Sequence, residues 1–87
     1  MFKEFIFADF SASPELVVNM SATLQWVENS LSGGVGTSLA LRRIGEKYSC
    51  SLDIYTAGGH FNGYGLFSDP QGAFDEAVSK LMVYIAA

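Results

Sequence analysis

The chain has 87 residues and a formal net charge of −4 at pH 7, and 49% of its residues are hydrophobic. A chain of this length builds one hydrophobic core, so we expect a single domain over residues 1–87 that folds without a metal, cofactor or disulfide. The balance of 5 basic to 9 acidic residues disfavours direct nucleic-acid binding, because phosphate contacts need clustered Lys and Arg.

The single cysteine, Cys50, has no partner within the chain, which favours a reducing compartment. The apolar run near the amino terminus is too short to span a membrane and is interrupted by Glu4 and Asp9. We therefore expect a cytoplasmic protein without a membrane partner.

Residues 2–10, FKEFIFADF, predict a short strand that is apolar on both faces. The alternation places Ile6, Ala8 and Phe10 on one face and Phe5 and Phe7 on the other. We expect both faces of this strand to be covered.

Residues 13–34 carry the signals of a helix. Ser13 is suited to the N-cap, Pro14 to the first helical position and Glu15 to the positive end of the helix dipole. Apolar residues then recur at spacings of four and three and predict one buried stripe: Leu16, Met20, Leu24, Val27 and Leu31. Gly33 and Gly34 are expected to end the helix.

Three further strands are predicted after this helix, joined by two hairpin turns. Gly45-Glu46 suits a type II′ turn between residues 37–44 and 47–56, and pairs Leu41 with Cys50. Gly58-Gly59 is predicted as the second turn, which would pair Tyr55 with Asn62, Asp53 with Tyr64 and Cys50 with Phe67. Gly63 and Gly65 then lie on the core face, where a helix can approach the sheet closely.

The glycine-rich stretch GGHFNGYGLFSDP also raises the question of a phosphate-binding loop. A Walker loop needs Lys and Ser or Thr after its glycines, and a dinucleotide loop needs a free helix N-terminus. Here Asp69 is predicted to cap the last helix, with Pro70 at its first position, so the phosphate loop is rejected. The core face of that helix is expected to carry Phe74, Ala77, Val78, Leu81 and Ile85.

These elements predict an α+β fold, a two-layer βαβββα sandwich with a four-stranded mixed sheet and two helices on one face. Cys50, His60 and Asp53 are close in sequence, but Cys50 and His60 fall on opposite faces, so no catalytic dyad is expected. We predict a core role for Cys50 and a solvated His60, and no catalytic or metal site.

The sheet face away from the helices is unusually apolar for a face left to water. Residues predicted on it that would bind a partner are Phe5, Phe7, Arg42, Ile44, Asp53, Tyr55, Tyr64 and Leu66. Tyr55 and Tyr64 would be diagonal neighbours at its centre, with Arg42 and Asp53 at the rim. Alternatively, loops or a chain end shield this face, or β-propensity alone selected its residues. Trp26, off the helical stripe, either covers the helix pair, which we favour, or anchors a partner.

The order of elements and the segments CSLDIYTAGGHFNGYG and AFDEAVSKL resemble the ribosome hibernation-promoting factor family. The resemblance implies a βαβββα domain that binds ribosomal RNA in the small subunit through basic residues on both helices. In this sequence Lys80 matches one of those basic positions, and the first helix contains no Lys or Arg.

Our leading functional hypothesis is a small acidic, non-enzymatic protein that acts by protein–protein association or as a homodimer through the open sheet face. Its size and charge are typical of inhibitors or adaptors encoded by phages and mobile elements. The alternative, implied by the resemblance, is a ribosome-associated hibernation-like factor.

Overall fold

A computed structural model of the chain describes residues 3–31 and 36–86. Its elements follow the order β1 (Lys3–Ala8), α1 (Pro14–Asn29), β2 (Gly36–Ile44), β3 (Lys47–Thr56), β4 (Gly59–Phe67) and α2 (Pro70–Ala86). Within the described ranges, neither helix has the length and hydropathy needed to cross a bilayer.

The four strands form one mixed sheet in the order β1, β2, β3, β4. β1 and β2 are parallel because α1 crosses between them, and the two hairpins make the other pairs antiparallel. Both helices contribute to one hydrophobic core on the same side of the sheet. The predicted two-layer βαβββα sandwich is confirmed.

α1 begins as its sequence predicts. The Ser13 hydroxyl accepts a hydrogen bond from the Leu16 amide at 3.1 Å, and Pro14 occupies the first turn. The predicted stripe is buried from Leu16 to Val27, and Leu31 is half-buried beyond the helix. The helix ends at Asn29, and the predicted terminators Gly33 and Gly34 lie outside the described residues.

The first hairpin has the predicted turn. Gly45 adopts a φ of +61°, which matches the first central position of a type II′ turn. The register pairs Leu41 with Cys50 and Leu39 with Leu52, so that the apolar side chains of β2 and β3 share the core face.

The second hairpin turns one residue earlier than predicted. Ala57 and Gly58 form its loop, and Thr56 pairs with Gly59. The Thr56 hydroxyl donates to the Gly59 carbonyl at 3.0 Å and accepts from the Gly58 amide at 3.2 Å, which fixes this turn. The predicted pairing is therefore wrong by two residues along β4, although every side chain stays on its predicted face because a shift of two preserves the alternation.

Gly63 and Gly65 lie under α2, as predicted. A Cβ placed on Gly63 would collide with the Ala77 carbonyl oxygen and lie 2.9 Å from the Leu81 Cβ. A Cβ on Gly65 would collide with the carbonyl oxygen of Ala73. The absence of these side chains allows the backbone of α2 to lie directly on β4.

Two carboxylates tie the helices to the sheet. Glu28, near the end of α1, accepts a hydrogen bond from the buried Thr37 of β2 at 2.7 Å and pairs with Lys3 of β1 at 3.2 Å. Glu76 of α2 accepts the outward-facing amide of Leu66 on the edge strand β4 at 3.0 Å, and this bond lowers the pKa of the Glu76 carboxyl. The second contact blocks part of an edge that could otherwise pair with another strand.

Close packing at Gly63 predicts a large effect of one added methyl group. Gly63→Ala should lower the free energy of unfolding by about 3 kcal/mol or more, because its nearest neighbour is the Ala77 carbonyl oxygen, a backbone atom that can move only if α2 shifts. The matched control is Gly58→Ala, where the nearest atom to the new Cβ is 3.8 Å away, and a change of less than about 1 kcal/mol is expected. Urea denaturation measures both, and equal stabilities would disprove the close approach.

Candidate functional site

The candidate site is the open face, which we define as the side of the sheet opposite the helices. Strand registers place its side chains in four rows across the sheet: Ala8, Arg42, Ser49 and Leu66; Ile6, Ala40, Ser51 and Tyr64; Glu4, Ser38, Asp53 and Asn62; and Tyr55 with His60. Ile44 and Lys47 extend it past the first row, where the first hairpin ends.

Six of the predicted partner-binding residues lie on the open face: Arg42, Ile44, Asp53, Tyr55, Tyr64 and Leu66. The four large apolar or aromatic members of this set are each more than 40% exposed. No helix of the described chain covers them, so these six residues lie on the face to which the alternation assigns them, and their role in binding a partner stays a prediction.

Phe5 and Phe7 were placed on the wrong face by the sequence pattern. In the parallel register Phe5 pairs with Leu39 and Phe7 with Leu41, and both rings pack against the core. Ile6 takes their place on the open face and is 48% exposed. The left-handed backbone of Asp9, with φ of 66°, ends the alternation and returns Phe10 to the core side, where its ring meets Phe7 edge-on.

Tyr55 and Tyr64 are not diagonal neighbours. Tyr55 pairs with His60, and the two rings are stacked at 4.5 Å between centroids with 8° between their planes. Tyr64 pairs with Ser51, two rows away. The shifted hairpin turn accounts for this difference.

A polar cluster lies between the two tyrosines. Asp53 Oδ1 is 2.7 Å from His60 Nε2 and accepts a hydrogen bond from Asn62 Nδ2 at 2.9 Å. His60 was predicted to be simply solvated, whereas it is held by a carboxylate on one side and by a stacked ring on the other. The correct hairpin register would have revealed the cluster, because it places Asn62 directly opposite Asp53 and His60 diagonal to it on β4.

Basic side chains are concentrated at the opposite end of the sheet. Arg42 Nε lies 3.1 Å from Asp9 Oδ2, Arg43 donates to the Gly45 carbonyl, and Lys47 is exposed beside the turn. α1 contains no Lys or Arg, and the Lys80 ammonium of α2 lies 3.6 Å from the Glu76 carboxylate. The basic helices that the resemblance implies are therefore missing from this chain.

The prediction that Trp26 covers the helix pair is wrong. This side chain projects from α1 and is 60% exposed. It lies on the helical layer and so belongs to a different surface from the open face.

Of the three residues weighed for catalysis, Cys50 lies apart from the contacting pair His60 and Asp53. Cys50 is fully buried in the core, and burial raises the pKa of its thiol from 9.0 to about 12. His60 lies on the opposite face of the sheet. In the described residues, no three His, Cys, Asp or Glu side chains come together as a metal site would require.

A cleft of about 390 Å³ opens between the starts of the two helices, with Phe10, Tyr48 and Pro70 among its lining residues. Its polar rim includes Glu15 and Asp69, and Asp69 accepts the Gly72 amide at 2.7 Å. As predicted, a carboxylate occupies the helix start where a phosphate would bind.

The sequence matches no protein-family model and no curated protein. Solved structures share its fold. The N-terminal domain of Protein Y from Thermus thermophilus superposes with a TM-score of 0.84 at 17% identity, over 94% of this chain and 91% of that chain. A ribosomal subunit interface protein from Coxiella burnetii gives a TM-score of 0.78 at 15% identity, over 100% of both chains. The fold-level resemblance predicted from the sequence is thus confirmed.

The buried thiol predicts a specific alkaline behaviour. The folded protein holds the Cys50 proton more tightly than the unfolded chain does, so this stabilisation is complete below pH 9.0 and is lost as the pH rises toward 12. Unfolding free energies of wild type should fall more steeply than those of Cys50→Ala above pH 9.0, by up to about 1.4 kcal/mol per pH unit. If the unfolding free energies of the two proteins changed in parallel with pH, or if a thiol reagent labelled the native protein rapidly, Cys50 would not be buried.

Proposed function

We propose that the chain is a non-enzymatic binding protein that associates with the ribosome in the cytoplasm. The observation that carries this proposal is the superposition of almost the whole chain on Protein Y and on a ribosomal subunit interface protein. Both similarities span at least nine-tenths of each chain, so they concern the complete domain rather than one shared motif.

The charge distribution favours a protein component of the ribosome as the docking partner. A helical layer with Lys80 as its one Lys or Arg is a poor match for ribosomal RNA phosphates. A net charge of −4 favours association with a basic protein surface instead. Cys50 and His60, on opposite sides of the sheet, support a role without catalysis.

As a second candidate function, the chain is an inhibitor or adaptor that binds a single protein target. Phages encode small proteins of this kind. This candidate is favoured by the exposed apolar side chains of the open face, since such side chains are the usual centre of a protein interface. The two candidates share a binding mode and differ in the partner.

Co-sedimentation with purified ribosomes and separated subunits tests the first candidate. We expect the chain to pellet with ribosomal particles, with an affinity that falls less than about tenfold between ~50 and ~200 mM salt, because few phosphates are contacted. A fall in affinity of about 10³-fold or more over this range would show instead that the chain contacts ribosomal RNA. No association of the folded protein at either salt concentration would reject the ribosome and favour the second candidate.

Truncation of one open-face residue tests the shared binding mode. Tyr64→Ala should weaken capture of the partner by about 1–2 kcal/mol without unfolding the domain, because the ring projects away from the core. Val83→Ala on the outer surface of α2 is the matched control and should leave capture unchanged. Ile54→Ala, in the core, should instead lower the free energy of unfolding by about 2–5 kcal/mol. Unchanged capture by folded Tyr64→Ala would exclude this part of the open face.

A further inference from the structure

The open face contains a shallow trough that runs along the strands. Its floor consists of small side chains on the two central strands, Ser38 and Ala40 of β2 with Ser49 and Ser51 of β3, and the larger Arg42 and Asp53 of the same strands bound it at its two ends. Larger side chains rise from the two edge strands. Ile6 of β1 forms one wall, next to the small Ala8, and Tyr64 and Leu66 of β4 form the other.

The width of the trough suits an α-helix. Adjacent strands lie about 4.8 Å apart, so the two edge strands are separated by about 14 Å. A helix with its side chains is about 10 Å across and can lie along the floor between the walls. Small residues on the floor allow the helix backbone to approach the sheet, as the glycines of β4 do on the other side.

One end of the trough is acidic. Glu4 and Asp53 share a row and have Ser38 between them. The His60 ring contacts Asp53, whereas the Glu4 carboxylate is exposed and lies 3.4 Å from the Ser38 hydroxyl. At the opposite end lie Arg42, which is paired with Asp9, and the exposed Lys47. Since Asp9 pairs with Arg42 and Glu46 lies beside Lys47, the unbalanced charge of the trough is negative and lies in the row of Glu4 and Asp53.

We propose that the trough binds an amphipathic α-helix of a protein partner, with the helix N-terminus and basic side chains over Glu4 and Asp53. The apolar stripe of the helix would contact Ile6, Ala40 and Tyr64, and the positive end of its dipole would face the carboxylates. This inference concerns the partner's chemistry and holds for a ribosomal or a non-ribosomal protein.

Two other occupants fit the surface less well. A second copy packed face to face would place its edge walls against those of the first, because a twofold axis along or across the strands maps edge strands onto edge strands, and the two floors would not touch. An RNA strand would bring its phosphates to the row of Glu4 and Asp53, which repels them.

A synthetic helical peptide provides the probe. It carries a Leu and Ala stripe with Lys near its N-terminus, and a peptide of the same composition with the stripe scrambled is its control. Amide chemical shifts in NMR map the contact, and fluorescence of a dye on the peptide gives the affinity. Trp26, the single tryptophan, lies on the helical layer and reports any binding to the wrong side.

Two pairs of variants distinguish binding in the trough from non-specific binding of the peptide to the protein surface. Ala40→Phe fills the floor and should weaken binding roughly tenfold or more, whereas Val18→Phe on the exposed side of α1 should leave it unchanged. Glu4→Lys reverses the charge at the acidic end and should weaken binding more than Glu46→Lys, which makes the same charge change in the first hairpin turn.

Chemical-shift changes confined to the open face, together with the expected order of peptide affinities among the variants, would support binding of a helix in the trough. The proposal is overturned by a Kd weaker than about 1 mM, by equal binding of the scrambled peptide, or by shifts on α1 and α2. Self-association through the open face in sedimentation experiments, or displacement of the peptide by single-stranded RNA, would assign the trough to another occupant and overturn it as well.

Discussion

The structure depends on the direct contact between the backbone of α2 and the backbone of β4. Gly63 and Gly65 have no side chains to hold the helix away, and the Ala77 and Ala73 carbonyl oxygens occupy the space that a Cβ would need. Close contact with β4 brings Phe74 and Leu81 into the core beside Leu52 and Ile54. α1 completes the same layer over β1 and β2, and the consequence is a sheet with one face buried and one face open.

Local signals were sufficient to predict most of the fold. Ser13 and Asp69 act as caps where the sequence places them, and Gly45 forms the predicted turn. β1 was different, because a strand with apolar residues on both faces does not reveal which side meets the core. Its register is set through a helical crossover rather than a tight turn, so Phe5 and Phe7 were assigned to the open face and Ile6 to the core. The other error concerns the turn between β3 and β4. The hydrogen bonds of the Thr56 hydroxyl select Ala57-Gly58 as the turn residues instead of Gly58-Gly59.

The candidate site could be located from the sequence only as a face, not as a set of contacts. Alternation was enough to place Tyr55, Tyr64 and Leu66 together on one side, and a shift of two residues did not disturb it. Side-chain contacts between neighbouring strands cannot be predicted as easily, because a register error of two residues changes which side chains meet. The stacked Tyr55 and His60 rings and the Asp53 cluster therefore became visible only with the structure. The chemical class of the partner is still harder to predict from the sequence, since the core residues that define the fold place no constraint on surface charge.

This separation of core from surface explains how a chain 15–17% identical to Protein Y and to a ribosomal subunit interface protein keeps their fold, although α1 contains no Lys or Arg and α2 contains one, Lys80. The Gly63 and Gly65 contacts and the buried stripes are sufficient for the architecture, whatever the charge of the solvent side. On the open face, the hydrogen bonds of Asp53 to Asn62 and His60, together with the stacked ring of Tyr55, hold these groups in one arrangement before any partner arrives. Side chains that are already ordered lose less entropy on binding, so a pre-formed row beside a floor of small residues favours docking of a rigid element such as a helix over a flexible strand.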